Sequence, residues 1–169
     1  MRLAIAALLI ALATPVAAGP RQGGDHPADA VPIPALPFTD TGITTGLDDD
    51  WFYSCPYGNS GVAPDVFYRY EPSVDETIRI DLCGSLYDTC VYLLDADTWD
   101  VIACNDDFYL DEECGIYVSC IEAAAVEAGR RYWIDVDGYP NSHGEYLLNV
   151  WSLTTAAESA SWSAVKSRY

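Results

Sequence analysis

Lysine is almost absent from this chain: Lys166 is the only one in 169 residues. Lysine and arginine together number 8 against 26 aspartates and glutamates, a formal net charge of −18. Binding a phosphate backbone needs clustered basic side chains, so nucleic acid is excluded as a partner. Histidine is nearly as scarce. His26 sits in a Gly/Pro/Ala-rich stretch and His143 in a turn sequence, so neither is placed between a serine and a carboxylate as a catalytic triad requires. No Cys-x-x-Cys pair occurs and neither histidine adjoins a cysteine pair, which argues against zinc. Beyond the first residues no apolar run reaches the about 20 residues of a membrane-spanning helix. Acidic pairs occur throughout the chain, so they give no specific sign of glycosidase chemistry. The chain therefore reads as non-catalytic, with no nucleic-acid partner and no membrane span.

The residues present point outside the cytoplasm. Met1-Arg2 gives a positive start, Leu3 to Ala13 an apolar run too short to span a bilayer, and Val16-Ala17-Ala18 small residues suited to cleavage. This is the pattern of a secretory signal, residues 1–18, cut after Ala18. Six cysteines in an exported chain read as three disulfides, which also disfavours a thiol nucleophile. The count alone leaves their connectivity open.

Residues 19–36 are rich in Gly, Pro and Ala without a period of 2 or 3.6, as a flexible leader would be. From residue 64 onward the period is 2. Ile78, Ile80 and Leu82 alternate with Thr77, Arg79 and Asp81. Tyr132, Ile134 and Val136 alternate with Trp133, Asp135 and Asp137. Tyr146, Leu148 and Val150 alternate with Leu147, Asn149 and Trp151. Such patterning predicts half-buried antiparallel strands. Residues 66–71, 90–95, 99–104 and 116–121 are further strand candidates. Asp97-Thr98 is placed to turn a hairpin, as is 139–144. The segment 95–100 (DADTWD) lacks the glycine and glutamate of an EF-hand and reads as that hairpin turn. Ala123 to Ala128 is the one helix-prone stretch inside the domain. The expected fold is all-β: an antiparallel jelly-roll-like β-sandwich of about seven to nine strands over residues 37–153.

The runs PDVFYRYEP, IDLCGSLYDTCVYLLD, VIACNDD and AGRRYWIDVDGYPNSHGEYLLNV, in that order, resemble the bacterial pre-peptidase C-terminal domain family across roughly residues 37–152. The resemblance implies a jelly-roll sandwich of the kind found beside secreted peptidases, here with no peptidase attached. It implies nothing specific about activity, since one fold serves many functions. The chain departs from many relatives in lacking a cysteine near Thr45-Gly46 and in carrying Cys90 and Cys120 where polar residues are usual. The resemblance implies the pairs Cys104–Cys114, Cys90–Cys120 and Cys55–Cys83.

The grouped carboxylates suggest calcium, which takes six to eight oxygens from loops able to wrap it. One candidate set is Asp48, Asp49, Asp50 and Asp65; it resembles the acidic segment and strand-opening aspartate of the collagen-binding members of that family. A second is Asp88, in the YDT turn, with Asp106 and Asp107 in the NDD loop. Trp133, Leu147 and Trp151 fall on the polar phase of their strands, and pairing through 139–144 would make them one outward ligand-binding patch. The tail, 154–169, leaves the strand pattern. Ser159 or Ser161 is placed to cap a short helix presenting Trp162, Val165 and Tyr169 for docking. The reading is a secreted, non-catalytic binding module, calcium-stabilised, engaging an extracellular protein or polysaccharide. The alternative is a structural or adhesive envelope component docked through its tail.

Overall fold

The computed structural model describes residues 22–51, 55 and 63–154. These form β1 (Val31–Ile33), β2 (Phe38–Ile43), β3 (Val66–Tyr70), β4 (Glu76–Asp81), β5 (Thr89–Asp95), β6 (Val101–Asn105), β7 (Tyr109–Asp111), β8 (Gly115–Val118), β9 (Cys120–Val126), β10 (Tyr132–Gly138) and β11 (Glu145–Ser152). Two sheets make a sandwich, one ordered β1-β3-β10-β5-β6 and the other β2-β11-β4-β9, with β7 and β8 as a separate hairpin. The only parallel pair among the described strands is β1 with β3. Among the described residues no helix is long and apolar enough to cross a membrane.

The alternating apolar residues meet between the sheets. Val66, Tyr68, Val91, Leu93, Tyr132, Ile134 and Val136 face Ile78, Ile80, Leu82, Ile121, Tyr146, Leu148 and Val150, all buried in one core. Deep burial of side chains this large is what holds a domain of this size together, at about 1.5–3 kcal/mol for each aliphatic side chain.

Several expectations are corrected. The leader does not stay apart: Val31–Ile33 adds a strand to β3, and Gly24 bridges to Phe67. Glycine permits that approach, because a Cβ on Gly23 would stand 2.8 Å from the Cβ of Val66 and one on Gly24 only 2.3 Å from the carbonyl oxygen of Asp29. The helix-prone stretch extends β9 instead. Ala124 and Val126 are buried in the core, so pairing with β4 overrides the alanine preference for helix. Residues 116–121 split into β8 and β9 at Ser119, whose N–H donates to Thr89 Oγ1 at 2.8 Å.

Strands β10 and β11 do not pair. β10 is flanked by β3 and β5, and β11 by β2 and β4, so 139–144 carries the chain from one sheet to the other. Trp133 therefore lies on the outer face of one sheet, with Leu147 and Trp151 on the outer face of the other, and the three form no common patch. Trp162, Val165 and Tyr169 fall outside the described residues, as does the signal segment 1–18.

The disulfides also differ. Cys55 bonds Cys104 and Cys83 bonds Cys114, with Cα separations of 5.9 and 4.3 Å. Cys90 and Cys120 are not joined. Cys90 shares the outer face of the five-stranded sheet with Tyr92 and Leu94, whereas Cys120 sits opposite Asp81 and reaches its Oδ2 at 3.5 Å on the outer face of the other sheet. The core lies between the two sulfurs. Intact mass of the native protein is expected four hydrogens below the fully reduced form, and a six-hydrogen difference would restore a third bond.

Candidate metal centre

The outer face of the five-stranded sheet is not open to water. Phe67, Tyr92 and Leu94 on that face are fully buried. Trp51 and Cys55, which lie between β2 and β3 in the chain, pack over this face, Cys55 fastened to β6 by Cys55–Cys104. Trp51 stacks on Trp99 at 4.0 Å between centroids, and Trp133 lies 6.0 Å from Trp99. Trp99 holds a left-handed φ of 65°, with its N–H donating to Asp95 O at 2.9 Å. Such a conformation is uncommon for a bulky residue and persists only where surrounding contacts fix it.

Beneath this cover lie three carboxylates. Asp135 pairs in register with Phe67 and Tyr92, and Asp137 with Cys90, so both point to the covered face. Val136 is opposite Val66, which brings Asp65, one residue before β3, beside Asp137. Asp65 and Asp135 are 0% exposed and Asp137 is 1% exposed. Trp51 N–H donates to Asp65 Oδ2 at 3.1 Å, and Gly138 N–H to Asp137 Oδ1 at 2.7 Å. Asp65 Oδ1, both oxygens of Asp135 and Asp137 Oδ2 are buried with no hydrogen-bond partner.

Burial pushes Asp65 up to about 7, opposed by the Trp51 N–H and reinforced by the charge of Asp50. Asp135 and Asp137 are driven well above the ordinary carboxylate range, by burial first and then, among other charges, by that of Asp65. Among the described residues no ion pair joins any of the three to a basic group. Buried charges are normally paired or bound to metal, because an isolated carboxylate in a dry site is far too costly.

The expected set is brought together in part. Asp49 and Asp50 act electrostatically on Asp65, and Asp49 is itself raised by burial and by Asp50. Asp48 contributes backbone: its carbonyl accepts from Asp65 N–H at 3.2 Å, and its N–H donates to Asp25 Oδ1 at 2.9 Å. Sequence reasoning missed Asp135 and Asp137. Their signal was present in WIDVDG, two aspartates on one strand phase, but that phase reads as a solvent face unless something covers it.

The second expected set converges. One donor atom from each of Asp88, Asp106 and Asp107 lies within 4.8 Å of the others. Asp106 is 4% exposed, and Asp88 Oδ1 is buried without a partner. Burial pushes Asp88 up to about 6, reinforced by Asp107 and Asp106.

On the opposite outer face, Asp81 shows what a satisfied buried carboxylate looks like here. It accepts from Arg79 Nη2 at 2.8 Å, Tyr109 Oη at 2.7 Å and Cys83 N–H at 2.8 Å. Burial alone would raise it, but these bonds outweigh burial and hold its carboxyl below the ordinary value.

His26 caps the turn at Pro27–Asp29 by accepting from Ala28 N–H, and His143 Nδ1 lies 3.0 Å from Thr45 Oγ1. Asp95 Oδ1 accepts from Asp97 and Thr98 N–H at 2.8 Å each, closing the β5–β6 turn.

No protein-family model and no curated protein matches the sequence. Among solved structures the chain is similar to the pre-peptidase C-terminal domain of a collagenase from Bacillus anthracis, with 19% identity, a TM-score of 0.46, and coverage of 71% of this chain and 92% of that one.

Proposed function

We propose that this protein is an exported, non-catalytic binding module in which a calcium ion, held by Asp65, Asp135 and Asp137 with Asp49 and Asp50, fixes the segment that carries Trp51. The observation that carries the reading is the set of buried carboxylate oxygens with no partner on those three residues. Calcium suits them because it takes hard oxygen donors, and loop carbonyls fill a coordination shell of six to eight. Of the cysteines on this face, Cys55 and Cys104 are bonded to each other, and the Cys90 thiol donates to Asn105 O and Asp106 Oδ1.

The ligand surface belongs with Trp51, Trp99 and Trp133, each partly exposed, in place of the patch expected from the sequence. Stacked aromatic rings that retain an exposed edge suit a polysaccharide or the apolar part of an extracellular protein. Two disulfides support an oxidising compartment.

Melting of the mature protein tests the metal. Binding only the folded state stabilises by about 2.7 kcal/mol at a hundredfold excess over Kd. The melting temperature should rise with millimolar Ca²⁺ and fall with chelator, more than with NaCl of equal ionic strength. An equal response to NaCl would mean simple screening of the mature chain's charge, −19 once Arg2 leaves with the signal segment, and no site. Retention by insoluble extracellular polymers, compared between the wild type and Trp99→Ala, tests the ligand surface. Equal retention of both would place the ligand elsewhere.

A further inference from the structure

The outer face of the four-stranded sheet is covered over only half its width. The β7–β8 hairpin lies over β4 and β9: Tyr109 Oη reaches Asp81 Oδ2 at 2.7 Å, and the centroid of the Phe108 ring is 5.7 Å from Arg79 Cζ. Asp81 and Cys120 are buried beneath it. The described residues leave the outer face of β2 and β11 open. Leu147 and Trp151, on the outer phase of β11, stay partly exposed, and Ile43 and Leu86 are 42% and 73% exposed. Ile43, Leu86, Leu147 and Glu145 line one groove of about 620 Å³. Gly84, also on the groove, donates its N–H to Cys114 O at 2.8 Å, which sets the hairpin turn with Glu112 and Glu113 beside it. An exposed apolar surface rimmed by polar residues marks an interaction site.

The occupant follows from where the chain goes next. Leu153 N–H donates to Thr77 O and Thr77 N–H to Thr154 Oγ1, both at 2.7 Å, so the chain is still on this sheet at residue 154. Residues 155–169 follow. β11 has eight residues and is about 26 Å long at about 3.3 Å per residue. Fifteen residues of helix are about 22 Å long, enough to run back along it. Trp162, Val165 and Tyr169, three and four residues apart, would share one side of such a helix. A helix this short is marginal alone in water and needs a surface to rest on. Charge agrees. Lys166 and Arg168 stand against a single acid, Glu158, in this stretch, whereas the groove end carries Glu145, Glu112 and Glu113. We infer that residues 155–169 double back along β11 of their own chain. Trp162 and Val165 cover Trp151 and Leu147, Tyr169 enters the groove between Leu86 and Ile43, and Lys166 and Arg168 meet Glu145 and Glu113. The outer face of β11 is then the seat of the chain's own tail and not of an external ligand.

Zero-length carbodiimide cross-linking of the full mature chain at low concentration tests this. Lys166 is the only lysine, so each lysine–carboxylate amide identifies its partner by mass. Amides from Lys166 to Glu145 or Glu113 within the monomer are expected. Leu86→Ser changes an exposed side chain and Trp162→Ser a residue beyond the last strand, so both keep the fold. Each removes one apolar contact of the docked tail and should lower the yield of those amides several-fold. Lys166 amides scattered over acids elsewhere, or equal yields in the wild type and both variants, would overturn the inference. In an equal mixture of heavy-isotope and unlabelled chains, amides that join a heavy to a light chain would assign the groove to a second copy and would also overturn it. No Lys166 amide at all would do the same.

Discussion

Asp135→Asn should change sign with calcium. In chelator at neutral pH the substitution is expected to stabilise the protein, raising its melting temperature by several degrees. In millimolar Ca²⁺ the same substitution should destabilise it relative to the wild type. Asp135 is wholly buried, both its oxygens lack a partner, and the charges that raise it belong to Asp65, Asp137 and Asp49. Without a cation, each of these groups must either carry an uncompensated charge or take up a proton, and an amide of nearly the same shape removes that demand. With a cation bound, the carboxylate becomes a ligand. Removing one partner of a buried charge pair costs about 3–5 kcal/mol. Paired melting curves of wild type and variant, each in Ca²⁺ and in chelator, read both halves. Destabilisation in both conditions would mean that Asp135 has an ordinary structural role unrelated to metal.

The pH dependence of stability should likewise invert. In chelator, burial pushes Asp65 up to about 7, against the ordinary value of 3.8. Between those values the folded protein keeps its proton while the unfolded chain has lost it. Folding then takes up protons, so stability falls as pH rises from about 4 to about 7. Asp135 and Asp137, raised well above the ordinary value by burial first and then by neighbouring charges, Asp65 foremost, extend the decline above it. Asp81 works in the opposite sense: its folded value is depressed, so its contribution is present above the unfolded value and is lost in acid. Asp95 is depressed as well, but Asp81 and Asp95 do not offset the raised carboxyls of Asp65, Asp135 and Asp137, and the metal-free protein should be more stable at pH 5 than at pH 8. Calcium holds the three carboxylates ionised in the folded state, so stability in Ca²⁺ should instead rise with pH through the acid range. Denaturant midpoints at pH 5 and pH 8, with and without Ca²⁺, measure the crossing. Parallel pH profiles in the two conditions would count against a cation on these residues.

The core was legible because a period of 2 is a local signal. Ile78, Ile80 and Leu82, or Tyr146, Leu148 and Val150, identify a buried face within a few residues. The partner of each face is not local. Nothing in YPNSHG distinguishes a hairpin turn from a crossing between sheets, and the difference moved Trp133 away from Leu147 and Trp151. The same limit applied to the site. Asp49, Asp50 and Asp65 were visible as an acidic segment before a strand. Asp135 and Asp137 looked like a solvated strand face, since the cover comes from a segment far earlier in the chain and is fastened by Cys55–Cys104. That bond was itself illegible, because cysteine spacing does not reveal which sheet face each sulfur occupies. Val31 and Ile33 were hidden among glycines and prolines, where only the parallel partner β3 makes a strand of them.

A crystal structure of the mature protein grown in calcium tests the central claim most directly. The expected result is a cation within about 2.3–2.6 Å of carboxylate oxygens of Asp65, Asp135 and Asp137, identified by its anomalous signal, with further oxygens from the segment at Asp49 and Asp50. Carboxyl groups of those three residues hydrogen-bonded to one another or to water, with no cation among them in millimolar Ca²⁺, would contradict it.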